Sequence, residues 1–405
     1  MNMTISPNDK ACPVPEPFGK RLGPILFLTV LFFLGFIGRV IFAPLMPSLE
    51  KELGMSHGQA GSLFLMVSLG FFAAQIGSGF ISSRLNHKGT LSISAVGVGL
   101  TLLAFSFSNS LNAIRMLMVA LGVATGLHVP SAMATITAMV TRQDWGKGLS
   151  IHQTAPSLSL VLAPLLVEVL LGPFSWRIIV ASLGAVALVA AMFFIVTARY
   201  GEFRGEAPNP PVIKETVRQP SFWIMIFLFA LGMGGSIGIY AMLPLYLVAE
   251  RGFEPGWANT LLGISRISGL FMTFVAGWVT DRVGEKRAIS AVLVASGLST
   301  ILLGIVPGSW LVIIIFVQPA LIACYFPPGF SALARIVPPN MRSVTTSLTT
   351  PTAFLLGGGI APAFIGYMGE RASFSMGIIL IGCITLLAPL AVRFLHLREG
   401  AEEGC

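Results

Sequence analysis

The chain is a succession of apolar runs, each about 20 residues or longer, and that recurrence dictates a bundle of membrane-spanning helices. A hydrocarbon core about 30 Å thick is crossed by about 20 residues rising 1.5 Å each. Runs of that length occur at 23–48, 57–82, 89–109, 112–138, 147–171, 175–198, 221–248, 256–280, 287–306, 310–334, 344–367 and 373–394. With 55% hydrophobic and 10% charged residues and a mean hydropathy of +0.84, the chain fits no soluble class. The expected fold is therefore all-α and integral to the membrane, with twelve spans. The stretch from Met1 to Lys20 is proline-rich and has no apolar core, so insertion is expected to begin with the first span and not with a cleavable signal.

The net charge of +8 is scattered through short loops and forms no basic stripe, which argues against nucleic acid. Loops on one side carry Lys20 and Arg21, Arg84 and Lys88, Arg142 and Lys147, and Arg282, Lys286 and Arg287; the other side carries mainly Glu50, Lys51, Glu52, Glu250, Arg251, Glu254, Glu370 and Arg371. The positive-inside rule then places both termini in the cytoplasm of a bacterial-type inner membrane. Cys12, Cys324, Cys383 and Cys405 have neither metal-ligand spacing nor a pairing pattern. No phosphate loop, zinc cluster or nucleophile triad is present in the sequence, so no enzyme activity, metal or cofactor is expected.

The halves of the chain repeat one another. At an offset of 198, Gly79 falls on Gly277, Arg84 on Arg282, Pro130 on Pro328, Ala163-Pro164 on Ala361-Pro362 and Ser175 on Ser373; at 200, Pro44 falls on Pro244, Glu50 on Glu250 and Lys51 on Arg251. The predicted organisation is a cytoplasmic tail (1–22), a six-helix bundle (23–198), a linker (199–220), a second six-helix bundle (221–394) and a short tail (395–405). A solute site is expected between two such pseudo-symmetric bundles, near midplane.

Two arginines, Arg39 and Arg266, lie in the middle of spans with no carboxylate of their own. A guanidinium at that depth costs about 2.5–3.5 kcal/mol on insertion scales, so something must compensate it. A water-filled cavity that admits an anion would do so; carbonyls at helix breaks, or Glu168, are the structural alternative. On the eighth span Asn259, Gly263, Arg266 and Thr273 form a polar face, and Gly35 at i−4 is expected to leave space beside Arg39. His128, His152 and Gln153 could contact a solute, and the two histidines could take a proton. Gln318 with Tyr325, and Tyr240 with Ser236, share helix faces and serve either as lining or as interhelical hydrogen bonds. Phe, Tyr, Trp and Met are read as lipid-facing or core bulk.

The loop after the eighth span reads Gly277, Asp281, Arg282, Gly284, Lys286 and Arg287, and its counterpart keeps Gly79 and Arg84 but has Ser83 and Asn86 where the pattern has Asp and a turn glycine. This pair of loops resembles the signature of the major facilitator superfamily, and the resemblance covers nearly the whole chain. It implies a carrier that alternates access, with Gly79, Arg84, Gly277, Asp281 and Arg282 as gating residues and a first gate looser than the pattern. Leu111, Arg115, Gly122 and Ala124 resemble an element of proton-driven drug exporters whose arginine is linked to proton movement, while a position so near the helix start also suits snorkelling. The glycine-rich fifth-span signature of those exporters is missing from Ala155-Pro156-Ser157-Leu158-Ser159-Leu160. The segment from Arg39 to Pro47 is similar to the first helix of organophosphate/phosphate antiporters, and Arg266 resembles an arginine of oxalate/formate and monocarboxylate carriers.

These readings converge on a monomeric carrier in contact with membrane lipid, moving a small organic anion, a mono- or dicarboxylate foremost, with a proton or in exchange for a counter-anion. A drug or metabolite exporter of the same superfamily and a non-transporting receptor are the alternatives.

Overall fold

The structure is a computed structural model that describes residues 18–205 and 210–398. The tail up to residue 17 with Cys12, positions 206–209 of the linker, and the end of the chain with Cys405 lie outside the described residues. Among these, eleven continuous helices are long and apolar enough to cross a membrane. One of them, His57–Ser106, has 50 residues, about 75 Å and more than two hydrocarbon thicknesses. Asn86 lies inside it at φ 64° and reverses the chain, dividing the helix into two spans.

Twelve spans result: α1 Phe18–Leu53, α2 (57–85), α3 (87–106), α4 Leu111–Met139, α5 Arg142–Leu171, α6 Trp176–Thr197, α7 Pro220–Ala249, α8 Pro255–Val283, α9 Glu285–Ile305, α10 Ser309–Arg335, α11 Pro339–Arg371 and α12 Phe374–Val392. They form two pseudo-symmetric bundles of six. A short helix, Pro210–Val217, lies in the linker.

The repeat read from the sequence corresponds to repeated local geometry. Asn86 and Gly284 are both at positive φ, 64° and 82°, each turning the chain between the second and third helices of its half. Ser175 and Ser373 each cap the last helix of a half, accepting from the N–H of Ile178 and Met376. Pro130 cannot donate to the Gly126 carbonyl, nor Pro328 to that of Cys324, and α4 and α10 break at Leu127 and at Cys324 and Tyr325.

An even number of spans puts both chain ends on one face, the terminal face, and the halves touch toward the other, distal face. There Ser56 Oγ and the Gly58 N–H donate to Glu370 at 2.7 and 3.1 Å. Gly61 packs against the Pro362 carbonyl and Gly366, and Gly263 against the Val161 carbonyl and Leu165. Tyr240 donates from α7 to the Leu160 carbonyl of α5 at 3.3 Å. Toward the terminal face no hydrogen bond joins the halves among the described residues, and Gly277, on the face of α8 that Gly263 presents to α5, has no atom within 4 Å of where a Cβ would stand. The bundles are closed distally and open toward the chain ends.

Candidate functional site

Arg39 lies in α1 where the helix loosens at Ile41, because Pro44 has no N–H to give the Val40 carbonyl. It is 7% exposed, and its Nε and Nη1 have no hydrogen-bond partner among the described residues. Its guanidinium carbon stands 4.4 Å from the Phe71 ring centroid, 4.9 Å from Phe36 and 5.1 Å from Phe354. Each such contact offsets about 0.5–2 kcal/mol of the burial cost, but none supplies a hydrogen-bond acceptor. Phe71 of α2 and Phe354 of α11 touch at 4.8 Å, so Arg39 sits where the halves meet. Gly35 faces α3 and α4: a Cβ there would stand in ordinary contact with Thr125 and Val98, 3.5 and 3.8 Å away.

Arg266 is held differently. Its Nη1 donates to the Ser236 carbonyl at 3.0 Å, its guanidinium lies 4.8 Å from the Tyr240 ring, and its Nε has no hydrogen-bond partner among the described residues. Ser236 belongs to a π-turn, Gly234–Gly238, in α7. Such a turn frees carbonyls from the i to i−4 ladder, and three glycines in five residues let the backbone widen and pack closely on α11. Gln318 takes the neighbouring Gly235 carbonyl at 2.9 Å. A freed helix carbonyl thus partly satisfies Arg266, the structural alternative noted above, whereas Arg39 has none. Glu168 serves neither arginine: it is exposed and lies against Gly256, about 15 Å along α8 from Arg266. Asn259 is buried, Thr273 is exposed, and Gly263 between them is filled by α5.

The structure brings His128 and His152 together. Both are buried, with Nε2 atoms 3.3 Å apart, and both stand at proline-made breaks: α4 breaks before His128 and α5 after His152, whose carbonyl loses its partner at Pro156. Gln153 beside them is exposed. Tyr325 is fully buried, edge-on to Phe229, with no hydrogen-bond partner for its hydroxyl among the described residues. Arg115 is half-buried near the start of α4 and makes no hydrogen bond or ion pair among the described residues.

The loop motifs are placed as the repeat requires, and they are anchored unequally. Asp281 is exposed without a hydrogen bond or ion pair among the described residues, and Arg282 lies over Trp278 at 3.7 Å. Arg84 is exposed, and Gly79 lines a cavity of about 570 Å³ with Ser82, His87 and Arg204. The first loop is tied down by the linker: His87 N–H donates to the Phe203 carbonyl at 3.1 Å, Lys88 N–H to that of Gly201 at 2.7 Å, and Lys88 pairs with Glu202 at 3.0 Å. The sequence reading missed this clamp. It also missed the aromatic stripe Phe32, Phe36 and Arg39 on α1, although the i, i+4, i+7 spacing carries the signal.

The sequence profile described as the Major Facilitator Superfamily matches residues 28–348 and 256–404. The chain belongs to the major facilitator superfamily. It is a transporter of this superfamily and not an enzyme. Curated relatives include a probable sulfoacetate transporter, SauU of Cupriavidus necator, 23% identical over 91% of this chain and 92% of the relative. The probable nitrate/nitrite transporter NarK2 of Mycobacterium tuberculosis is 24% identical over 90% and 93%. Among solved structures, an inward-facing, occupied bacterial homologue of the lysosomal transporter Spinster superposes with a TM-score of 0.82 at 16% identity, covering 93% of this chain and 96% of that one. Superfamily membership and this likeness agree with the twelve-span, two-bundle fold.

Proposed function

We propose that this facilitator carries a small organic anion, a mono- or dicarboxylate or a chemically similar acid, which binds at Arg39 and Arg266 and is exposed alternately to the two membrane faces. The observation that carries the reading is the Arg39 guanidinium: deep in the membrane, against three aromatic rings, with Nε and Nη1 unsatisfied. Such a group is completed by an acceptor that enters and leaves, and a carboxylate or nitrate matches the planar guanidinium fork. Relatives named for sulfoacetate and for nitrate/nitrite support the anionic class. Read with the positive-inside rule, the terminal face is cytoplasmic in a bacterial-type inner membrane, and the open cleft faces inward. The carrier works as a monomer, by symport with a proton or by exchange against another anion.

Counterflow in proteoliposomes tests the reading. Sulfoacetate, nitrate, oxalate or a monocarboxylate should compete for the site, and cationic drugs and neutral sugars should not. The reverse outcome restores drug efflux as the function. Arg39→Ala and Arg266→Ala should each abolish anion competition, and the double variant should lose little more than either single, since both act on one ligand.

A further inference from the structure

The imidazoles of His128 and His152 meet head-on. Their Nε2 atoms are 3.3 Å apart, the rings are parallel within 2°, and the centroids are 5.5 Å apart. The centroid separation exceeds the nitrogen separation by nearly twice a ring radius, so both Nε2 atoms lie on the line between the rings. That is the arrangement of an in-line N–H···N hydrogen bond. Chelation of a metal would need lone pairs converging on a common point, and no group of three potential ligands exists among the described residues.

An in-line bond requires one protonated and one bare Nε2. In the neutral pair the donor ring therefore has a bare Nδ1 and the acceptor ring a protonated one. One further proton fits on the bare Nδ1, leaving three protons on four ring nitrogens and one charge shared by two rings. A second would set two Nε2–H groups against each other, so the capacity is one. Two observations beyond the bond itself point to a site for a proton. His152 Nδ1 is buried with no hydrogen bond of good geometry among the described residues and with the Gln153 side chain beside the ring, and Phe32 lies parallel to both rings, 4.6 Å from His152 and 5.2 Å from His128, offering its π-face to a cation.

We propose that His128 and His152 together bind one proton, which travels with the anion; this rests on the anion reading of Arg39 and selects symport over exchange. The coupling follows from position. Phe36 touches Phe32 at 6.0 Å and lies 4.9 Å from the Arg39 guanidinium, which stands about 10 Å along α1 from Phe32. With the site empty, the Arg39 charge opposes a positive charge on the pair; an anion on Arg39 removes that opposition, and protonation in turn raises anion affinity. The other charges on neighbouring elements stand toward the helix ends: on α1, Lys20 and Arg21 are about 16–18 Å along the helix from Phe32, Arg142 at the start of α5 is about 15 Å along the chain axis from His152 and lies over Trp145, and Lys88 of α3 pairs with Glu202. On α5, Lys147 and Asp144 pair with each other at 2.8 Å. On α4, Arg115 is about 20 Å from His128 along the helix. At the α2–α3 turn, His87 packs on Phe203.

The test uses the full chain in detergent, weakly buffered with a pH indicator, and nitrate and oxalate as probe anions. Anion binding should draw up to one proton per protein in the wild type and none in His128→Gln or His152→Gln, which keep a hydrogen-bonding amide and still bind the anion by thermal shift. Infrared pH titration of the wild type alone should show a single ionisation shared by the two rings. Anion binding without proton uptake overturns the proton site and leaves the anion reading intact. If neither probe binds, and sulfoacetate and a monocarboxylate do not bind either, the anion reading fails, and the infrared titration decides the pair by itself: one shared ionisation upholds it, two independent ones or none between about pH 4 and 8 overturn it.

Discussion

Glu370, at the end of α11, accepts from Ser56 Oγ at 2.7 Å and from the Gly58 N–H at 3.1 Å, so a carboxylate of one half caps the first turn of α2 in the other. The contact exists only while the distal face is closed. Glu370→Ala should therefore weaken that closure and shift the open/closed ratio toward distal opening. Cysteine accessibility at the distal ends of α2 and α11 reads the shift; unchanged labelling would mean that the cap does not bias the cycle.

Asn86 combines two roles at one turn. Its φ of 64° is costly for a residue with a Cβ, and its Oδ1 accepts from the Gly89 N–H at 2.8 Å, capping α3. Asn86→Gly relieves the first and loses the second, so thermal stability should stay close to wild type. Asn86→Ala loses the cap and keeps the strain, and should cost about 1–2 kcal/mol. Equal melting temperatures for the two variants would show that neither term governs the turn.

Arg266 donates through one nitrogen to Ser236 and retains Nε for a ligand. A lysine can satisfy the carbonyl but cannot also present a planar fork, so Arg266→Lys should impair uptake nearly as much as Arg266→Ala at normal expression. Near-normal uptake by the lysine variant would reduce the role of Arg266 to charge alone.

Asp281 stands at the terminal face without a hydrogen bond or ion pair among the described residues, about 22 Å along α8 from Arg266. Its partners are expected to form only when the terminal face closes, so Asp281→Asn should lower turnover several-fold while equilibrium binding of the anion changes little. A large loss of affinity at unchanged maximal rate contradicts this.

The spans, the two-fold repeat and the turn at Asn86 are all legible in the sequence, because each is set locally: lipid demands length and apolarity, and a reversal needs a residue that tolerates positive φ. The depth of Arg39 and Arg266 is legible too, by counting 1.5 Å per residue from the charged helix ends. What surrounds them is not. That Arg266 meets the Ser236 carbonyl depends on a π-turn in α7, and that Arg39 is ringed by Phe71 and Phe354 depends on how α2 meets α11. The histidines, 24 positions apart, become one hydrogen-bonded pair only because breaks in α4 and α5 turn both rings toward Phe32. Helix periodicity gives the face of a residue on its own helix; the partner across the gap is fixed by the packing of the other helices, which only the tertiary structure decides.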